Sequence, residues 1–145
     1  MIPKVIHYCW FGGKPLPELA RKCLASWKKF CPDYEIVRWD ESNFDVACCD
    51  YVKEAYEAKK WAFVSDYARL KALVDNGGVY MDTDVEVIRP LDEFLRHEAF
   101  SGFEDDKMIS TGIMASVKGF APFAEMLADY HTRHFYRRRG PGQDN

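Results

Sequence analysis

Asp82 and Asp84 stand one residue apart, directly after the apolar run Val79-Tyr80-Met81. If the strand predicted by that run continues through them, both carboxylates share one side, because side chains alternate along a strand. Two carboxylates on one side make an oxygen-rich site. Such a site suits a hard cation, Mg²⁺ or Mn²⁺, bound through one or two carboxylates, several waters and the phosphate oxygens of a substrate. The cation would neutralise charge on a departing diphosphate. Short acidic triplets are also common on solvated surfaces, so the spacing alone is weakly specific.

Two other acidic-site chemistries fit poorly. An EF-hand loop starting at Asp82 would place Val87 where the sharp turn needs Gly, and Pro90 would fall inside the loop. A phosphohydrolase with a nucleophilic Asp would carry a Ser/Thr, then a Lys, then an acidic pair, whereas here Asp105-Asp106 precedes Thr111 and Lys118.

The segment before the acidic pair adds charge of the opposite sign. Asp66 and Arg69 are three apart, so on a helix they project to the same side. By themselves they read as an exposed ion pair worth roughly 0.2 to 0.5 kcal/mol. Beside the acidic pair, Asp66 gains a role as an acceptor for ribose or sugar hydroxyls. Arg69 gains one as a planar fork for a phosphate or hydroxyl.

These residues need elements to position them. Val64, Tyr67, Ala68, Leu70, Ala72 and Val74 recur at three- and four-residue steps, which predicts a helix over residues 61–75 buried on one broad face. Gly77-Gly78 ends it and turns the chain into an extended run over 79–88. Elsewhere the pattern predicts strands at 4–10, 34–39, 99–103 and 109–117, and helices at 17–30, 50–58 and 121–134. Asp40 to Cys49, rich in turn formers, reads as a loop. The alternation predicts an α/β sheet with helices on both faces and a ligand beyond the strand ends.

Ser65-Asp66-Tyr67-Ala68-Arg69, Gly77-Gly78-Val79-Tyr80 and Asp82-Thr83-Asp84 together resemble the core of the DXD sugar-binding glycosyltransferases. That family takes in capsular polysaccharide transferases, initiating mannosyltransferases and, more distantly, the glucosylating clostridial toxins. The opening Ile2-Pro3-Lys4-Val5-Ile6-His7-Tyr8-Cys9-Trp10 is similar to the family's first strand, and the resemblance extends over most of residues 2–118. It implies a GT-A-like (Rossmann-like) nucleotide-sugar-binding sheet and a metal-dependent, retaining transfer of a sugar from a nucleotide-diphosphate donor to a saccharide, lipid-linked saccharide or other hydroxyl acceptor. As the resemblance implies them, Trp10 stacks on the base, Asp66 and Arg69 contact ribose and sugar, and Tyr80 lines the donor pocket. Asp82 contacts ribose, sugar or, through water, the metal, while Asp84 ligates the Mn²⁺ or Mg²⁺. It supplies no catalytic nucleophile. His7, three residues from Trp10, points to the opposite face of a strand and reads as structural.

Composition agrees with one domain over residues 1–145. A chain of 145 residues that is 48% hydrophobic and 15% aromatic can bury one sizeable core. Its net charge of −3 argues against general nucleic-acid binding. Arg137-Arg138-Arg139 beside Gly140-Pro141-Gly142 reads as part of a mobile tail over 137–145, with contact to anionic lipid or a phosphorylated acceptor as the alternative. The five cysteines are odd in number and lack metal-ligand spacing, so reduced thiols are expected. No apolar run reaches the ~20 residues that span a bilayer, and no signal-peptide pattern opens the chain. A cytoplasmic protein, including one at the cytoplasmic face of a membrane, is therefore expected. Family members usually continue beyond the point where this chain stops, which raises the expectation of a truncated form that binds a nucleotide sugar without transferring it.

Overall fold

A computed structural model of the chain describes residues 1–101 and 112–136. The expected tail, with Arg137-Arg138-Arg139, lies outside the described residues, as do parts of the strands expected over 99–103 and 109–117. Five strands form one mixed sheet: β1 (Val5–Cys9), β2 (Glu35–Trp39), β3 (Gly78–Met81), β4 (Ala99–Ser101) and β5 (Ile113–Ser116), in the order β2-β1-β3-β5-β4. β1 pairs in parallel with β2 and β3, while β5 runs antiparallel to both β3 and β4. Four helices accompany it: α1 (Glu18–Phe30), α2 (Asp50–Glu57), α3 (Trp61–Asn76) and α4 (Ala121–Asp129).

Side-chain alternation divides the sheet into two cores. Ile6, Tyr8, Val79 and Met81 face α1 and pack with Trp27 and Cys31. Cys9 and Tyr80 face the other way and pack with Val52 and Ala55 of α2, Val64, Tyr67 and Leu73 of α3, and Leu127 of α4. Since α1 connects β1 to β2 on one face and α2–α3 connect β2 to β3 on the other, the connections diverge at β1. A crevice beyond the carboxyl ends of β1 and β3 follows from this topology.

The turn between α3 and β3 lies at the amino end of β3 and sets how that strand enters the sheet beside β1. Gly77 caps α3 by donating its N–H to the Leu73 carbonyl, and both glycines adopt positive φ, +72° and +121°. A Cβ on Gly78 would lie 2.6 Å from the Val5 carbonyl oxygen, so only Gly lets β3 close against β1 here.

The extended run expected over 79–88 ends as a strand at Met81. Asp82 begins a turn closed by the Val85 N–H to the Asp82 carbonyl at 3.1 Å. Beyond it Val85 and Val87 are buried while Glu86 and Ile88 are exposed, which is the alternation that reads as strand. These residues bond to side chains of α1 instead: Trp27 Nε1 donates to the Val85 carbonyl and the Val87 N–H donates to Ser26 Oγ. The helix expected over 121–134 also shortens, with a 3₁₀ turn over Tyr130–Thr132 following α4.

Candidate donor site

Four of the six expected site residues meet beyond the end of β3. Asp66 and Arg69 lie one turn apart on α3, and Arg69 Nη2 sits 3.5 Å from Asp66 Oδ1 and 3.3 Å from Asp82 Oδ1. Tyr80 donates its hydroxyl to the same Asp82 oxygen at 3.0 Å. The guanidinium lies 4.5 Å over the Tyr80 ring, so the ring serves as a floor for the cation as well as a donor to its counter-ion. Two-residue alternation from Tyr80 to Asp82 keeps both on the α3 face. The four form one charged cluster.

Burial and charge oppose each other in this cluster. Burial raises the Asp66 pKa from the ordinary aspartate value, against the pull of Arg69, and Asp82 adds to the rise. Burial also works against the charge on Arg69, but Tyr80, Asp82 and Asp66 more than offset it and hold the guanidinium firmly charged. Cys9 lines the floor beside Tyr80 and Ser65, its thiol pushed up to about 12 by burial and so held neutral.

The remaining two residues lie apart from the four. Trp10 follows β1 on the α1 side, half-buried against that core, and its indole N–H donates to the Lys14 carbonyl at 2.6 Å. Asp84 is exposed at the far side of the turn, where its charge, with that of Glu86, is felt by Cys23 of α1. The expectation that Asp82 and Asp84 share a strand side is thus corrected: the strand stops one residue too early, and the turn sends one carboxylate toward α3 and leaves the other in solvent. His7 is buried on the opposite side from Trp10, as the spacing predicts. Trp39 Nε1 donates to its Nδ1 at 3.0 Å and its Nε2 bonds the Gly77 carbonyl at 2.9 Å, which fixes a neutral ring protonated at Nε2.

Three contacts escape motif reading. The Ser65 carbonyl accepts from Arg69 Nε at 3.3 Å and orients the guanidinium. Cys9 reads in sequence only as an apolar strand residue. Gly112 accepts the Asp82 N–H at 2.9 Å, and a Cβ there would lie 2.6 Å from Asp82 Oδ2. The available signal was a Gly interrupting an apolar strand run, which marks close backbone approach.

No three ligating side chains converge on a metal site among the described residues. The acidic turn still fits a hard cation by the chemistry of its donors, since Mg²⁺ and Mn²⁺ take one or two carboxylates and complete their shells with water and phosphate oxygens.

The model of a glycosyltransferase sugar-binding region containing a DXD motif matches residues 17–101, which include Asp66, Arg69, Tyr80, Asp82 and Asp84. This chain belongs to that glycosyltransferase family. It is 33% identical over 122 residues to inositol phosphoceramide mannosyltransferase 3 of Schizosaccharomyces pombe, covering 81% of this chain and 34% of that protein. An uncharacterized glycosyltransferase of Acanthamoeba polyphaga mimivirus is 26% identical over 148 residues, covering 96% of this chain and 57% of that protein. The chain therefore spans between about a third and somewhat over half the length of these relatives. Among solved structures, PaToxG glycosyltransferase superposes with a TM-score of 0.68 at 18% identity, over 88% of this chain and 58% of that one. That likeness shows the GT-A-like fold. Among the described residues, no helix is long and apolar enough to cross a membrane.

Proposed function

We propose that this glycosyltransferase moves a hexose from a nucleoside diphosphate sugar to a hydroxyl of a saccharide or lipid-linked acceptor, with retention at the sugar carbon and with Mn²⁺ or Mg²⁺ at the Asp82–Asp84 turn. The observation that carries the reading is the cluster of Asp66, Arg69, Tyr80 and Asp82 at the carboxyl end of β3, the end at which α/β sheets of this kind take their ligands. The name of the fission-yeast relative, a mannosyltransferase acting on inositol phosphoceramide, supports a hexose donor and a lipid-borne hydroxyl acceptor.

Each residue contributes an ordinary piece of chemistry. Asp66, with its raised pKa, accepts hydroxyl hydrogen bonds from ribose or sugar. Arg69 is held in a fixed pose by Tyr80 and Ser65, so its remaining N–H groups present preorganised positive charge to developing negative charge. When bound, the divalent cation supplies Lewis-acid stabilisation of the leaving diphosphate. Asp84 and Asp82 would hold it. Trp10, on the other side of the crevice mouth, supplies a flat ring for the base. With no carboxylate nucleophile assigned, positioning of donor and acceptor is the main contribution of the protein, and the leaving phosphate takes the acceptor proton.

Asp84→Asn tests the reading. The carboxylate is exposed, so the substitution leaves the core intact. Titration of the wild type with UDP and GDP in Mn²⁺ should show metal-dependent binding that the variant loses by about tenfold or more, an effect of at least about 1.4 kcal/mol. Equal Mn²⁺-dependent binding in the variant would reduce the acidic pair to a structural turn. Nucleotide binding without hydrolysis or transfer for any sugar donor would favour a binding module over an enzyme.

A further inference from the structure

The loop that follows β1 is held by contacts to which the reaction above gives no role. Trp10 continues the ladder to β2, its backbone N–H donating to the Trp39 carbonyl at 2.9 Å. The chain then turns through Gly12 and Gly13, both at positive φ, +99° and +77°. By Lys14 it has come back on itself, and the Lys14 carbonyl accepts the Trp10 indole N–H. The pose of the Trp10 ring is therefore tied to the backbone of residues 11–14. Whatever fixes that backbone also fixes the ring.

Three separate parts of the chain converge on Gly12. Glu41, in the loop after β2, accepts the Gly12 N–H at 2.7 Å through Oε2. The Tyr56 hydroxyl, in the last turn of α2, donates to the same oxygen at 3.0 Å. Trp61, the first residue of α3, lies so close that a Cβ on Gly12 would stand 2.8 Å from its indole, and its ring packs on Tyr56 at 5.2 Å. The corner that joins α2 to α3 is itself closed. Lys59 takes a φ of +58°, and the N–H groups of Lys59 and Lys60 donate to the Tyr56 and Ala55 carbonyls, both at 2.9 Å.

Two consecutive glycines would otherwise leave this loop the loosest backbone at the carboxyl edge of the sheet. Burial acts against the charge on Glu41, but the Gly12 N–H, its own N–H and the Tyr56 hydroxyl outweigh it and hold the carboxyl below its ordinary value. An ionised acceptor makes the stronger bond to a backbone N–H. Ordering a loop before its ligand arrives raises affinity, because the cost of ordering no longer falls on binding. The contacts run in series from Glu41 to Gly12, along the backbone to Lys14, and from Lys14 to the Trp10 indole.

We propose that Glu41 is a positioning residue for the donor base: through the Gly12 N–H and the Lys14 carbonyl it holds Trp10 in the pose that stacks on the base. The proposal rests on the donor reading, but its test separates the two. The full chain is titrated in Mn²⁺ with UDP, GDP and inorganic pyrophosphate. All three carry a diphosphate for the cation and Arg69, and only the nucleotides carry a base. Glu41→Ala changes an exposed side chain, so the fold is kept. It should weaken the tighter-binding nucleotide about tenfold and leave pyrophosphate within about twofold. Glu41→Gln keeps an acceptor for the Gly12 N–H and should hold the nucleotide within about threefold of wild type. Trp10→Phe keeps a ring but has no N–H for Lys14, so in that background Glu41→Ala should cost no more than about a further twofold, as residues acting in series are not additive. The Trp10 indole N–H resonance should shift in Glu41→Ala and stay in place in Glu41→Gln.

Equal weakening of nucleotide and pyrophosphate in Glu41→Ala would make Glu41 a general support of the fold and overturn the proposal. Unchanged nucleotide binding in that variant, or no rescue by Glu41→Gln, would overturn it as well. So would a full loss in the Trp10→Phe background, since Glu41 would then act on the base without Trp10. In each of these cases the wild type still binds nucleotide in Mn²⁺, and the donor reading stands. A wild type that holds pyrophosphate as tightly as either nucleotide would remove the role of the base, and with it that of Glu41, while leaving the diphosphate contacts. Binding of neither nucleotide nor pyrophosphate would sink the donor reading and the positioning role together.

Discussion

Arg69 faces two carboxylates, an aromatic ring and a main-chain carbonyl, and only a planar guanidinium can serve all four. Arg69→Lys keeps the charge but gives up the stacking on Tyr80 and the fork between Asp66 and Asp82. Thermal melts should report a loss of roughly 1–2 kcal/mol, together with weaker nucleotide binding. A Lys variant with wild-type stability and binding would mean that the cluster needs a charge and nothing more. At this scale the sequence was legible where spacing encodes direction, as in the three-residue step from Asp66 to Arg69 and the two-residue step from Tyr80 to Asp82. It was illegible where contact depends on strand pairing: nothing in the local spacing of Gly112 says that β5 will run beside β3 and bring its backbone against Asp82. The divergence of Asp84 from Asp82 also lay beyond the pattern, because Trp27 and Ser26, far away in the chain, supply the hydrogen bonds that hold the acidic turn and its exit.

Elements were more readable than contacts. Among the described residues, apolar periodicity located each of the four helices and five strands, and the Gly77-Gly78 punctuation located the turn between α3 and β3. The misjudged end of β3 has a physical cause: burial alternates through Val87 whether the partner is a strand or the side of a helix, so hydrophobic pattern alone cannot tell a ladder from an extended strap. The same turn yields a prediction. Gly78 holds φ at +121° with the Val5 carbonyl 2.6 Å from where a Cβ would stand. Gly78→Ala forces either strain or a retreat of β3 from β1, and should cost roughly 2–4 kcal/mol in chemical denaturation. A loss under about 0.5 kcal/mol, the range of an ordinary surface change, would show that the turn can relax.

Over the whole molecule, two cores share one sheet, and His7 joins the pieces that separate them: it sits on β1, accepts from Trp39 at the end of β2, and bonds Gly77 at the end of α3. Burial lowers its pKa below 6.5, with the Gly77 carbonyl opposing. A lowered histidine pKa means that its stabilising contribution is present above pH 6.5 and is lost as the pH falls through the folded value. Protonation at Nδ1 also removes the acceptor of the Trp39 indole. The melting temperature should fall on mild acidification, together with a shift of the Trp39 indole N–H resonance. His134 has the opposite sign, since its bond to Glu54 raises its pKa and its contribution is present at low pH and fades as the pH rises through that value. His134→Gln removes a contribution that grows on acidification, so it should keep or deepen the acid-side loss, and disappearance of that loss in the variant would show that His7 does not set it. The strand order carries a further consequence for biosynthesis. β1 can find β2 once the chain has grown to Trp39, but its other edge has no partner until Met81 has been made, and β3 in turn waits for Ser116. Through that interval a strand of Val-Ile-His-Tyr-Cys presents an open edge during translation, so chaperone demand in the nascent chain should peak before α3 and β3 emerge.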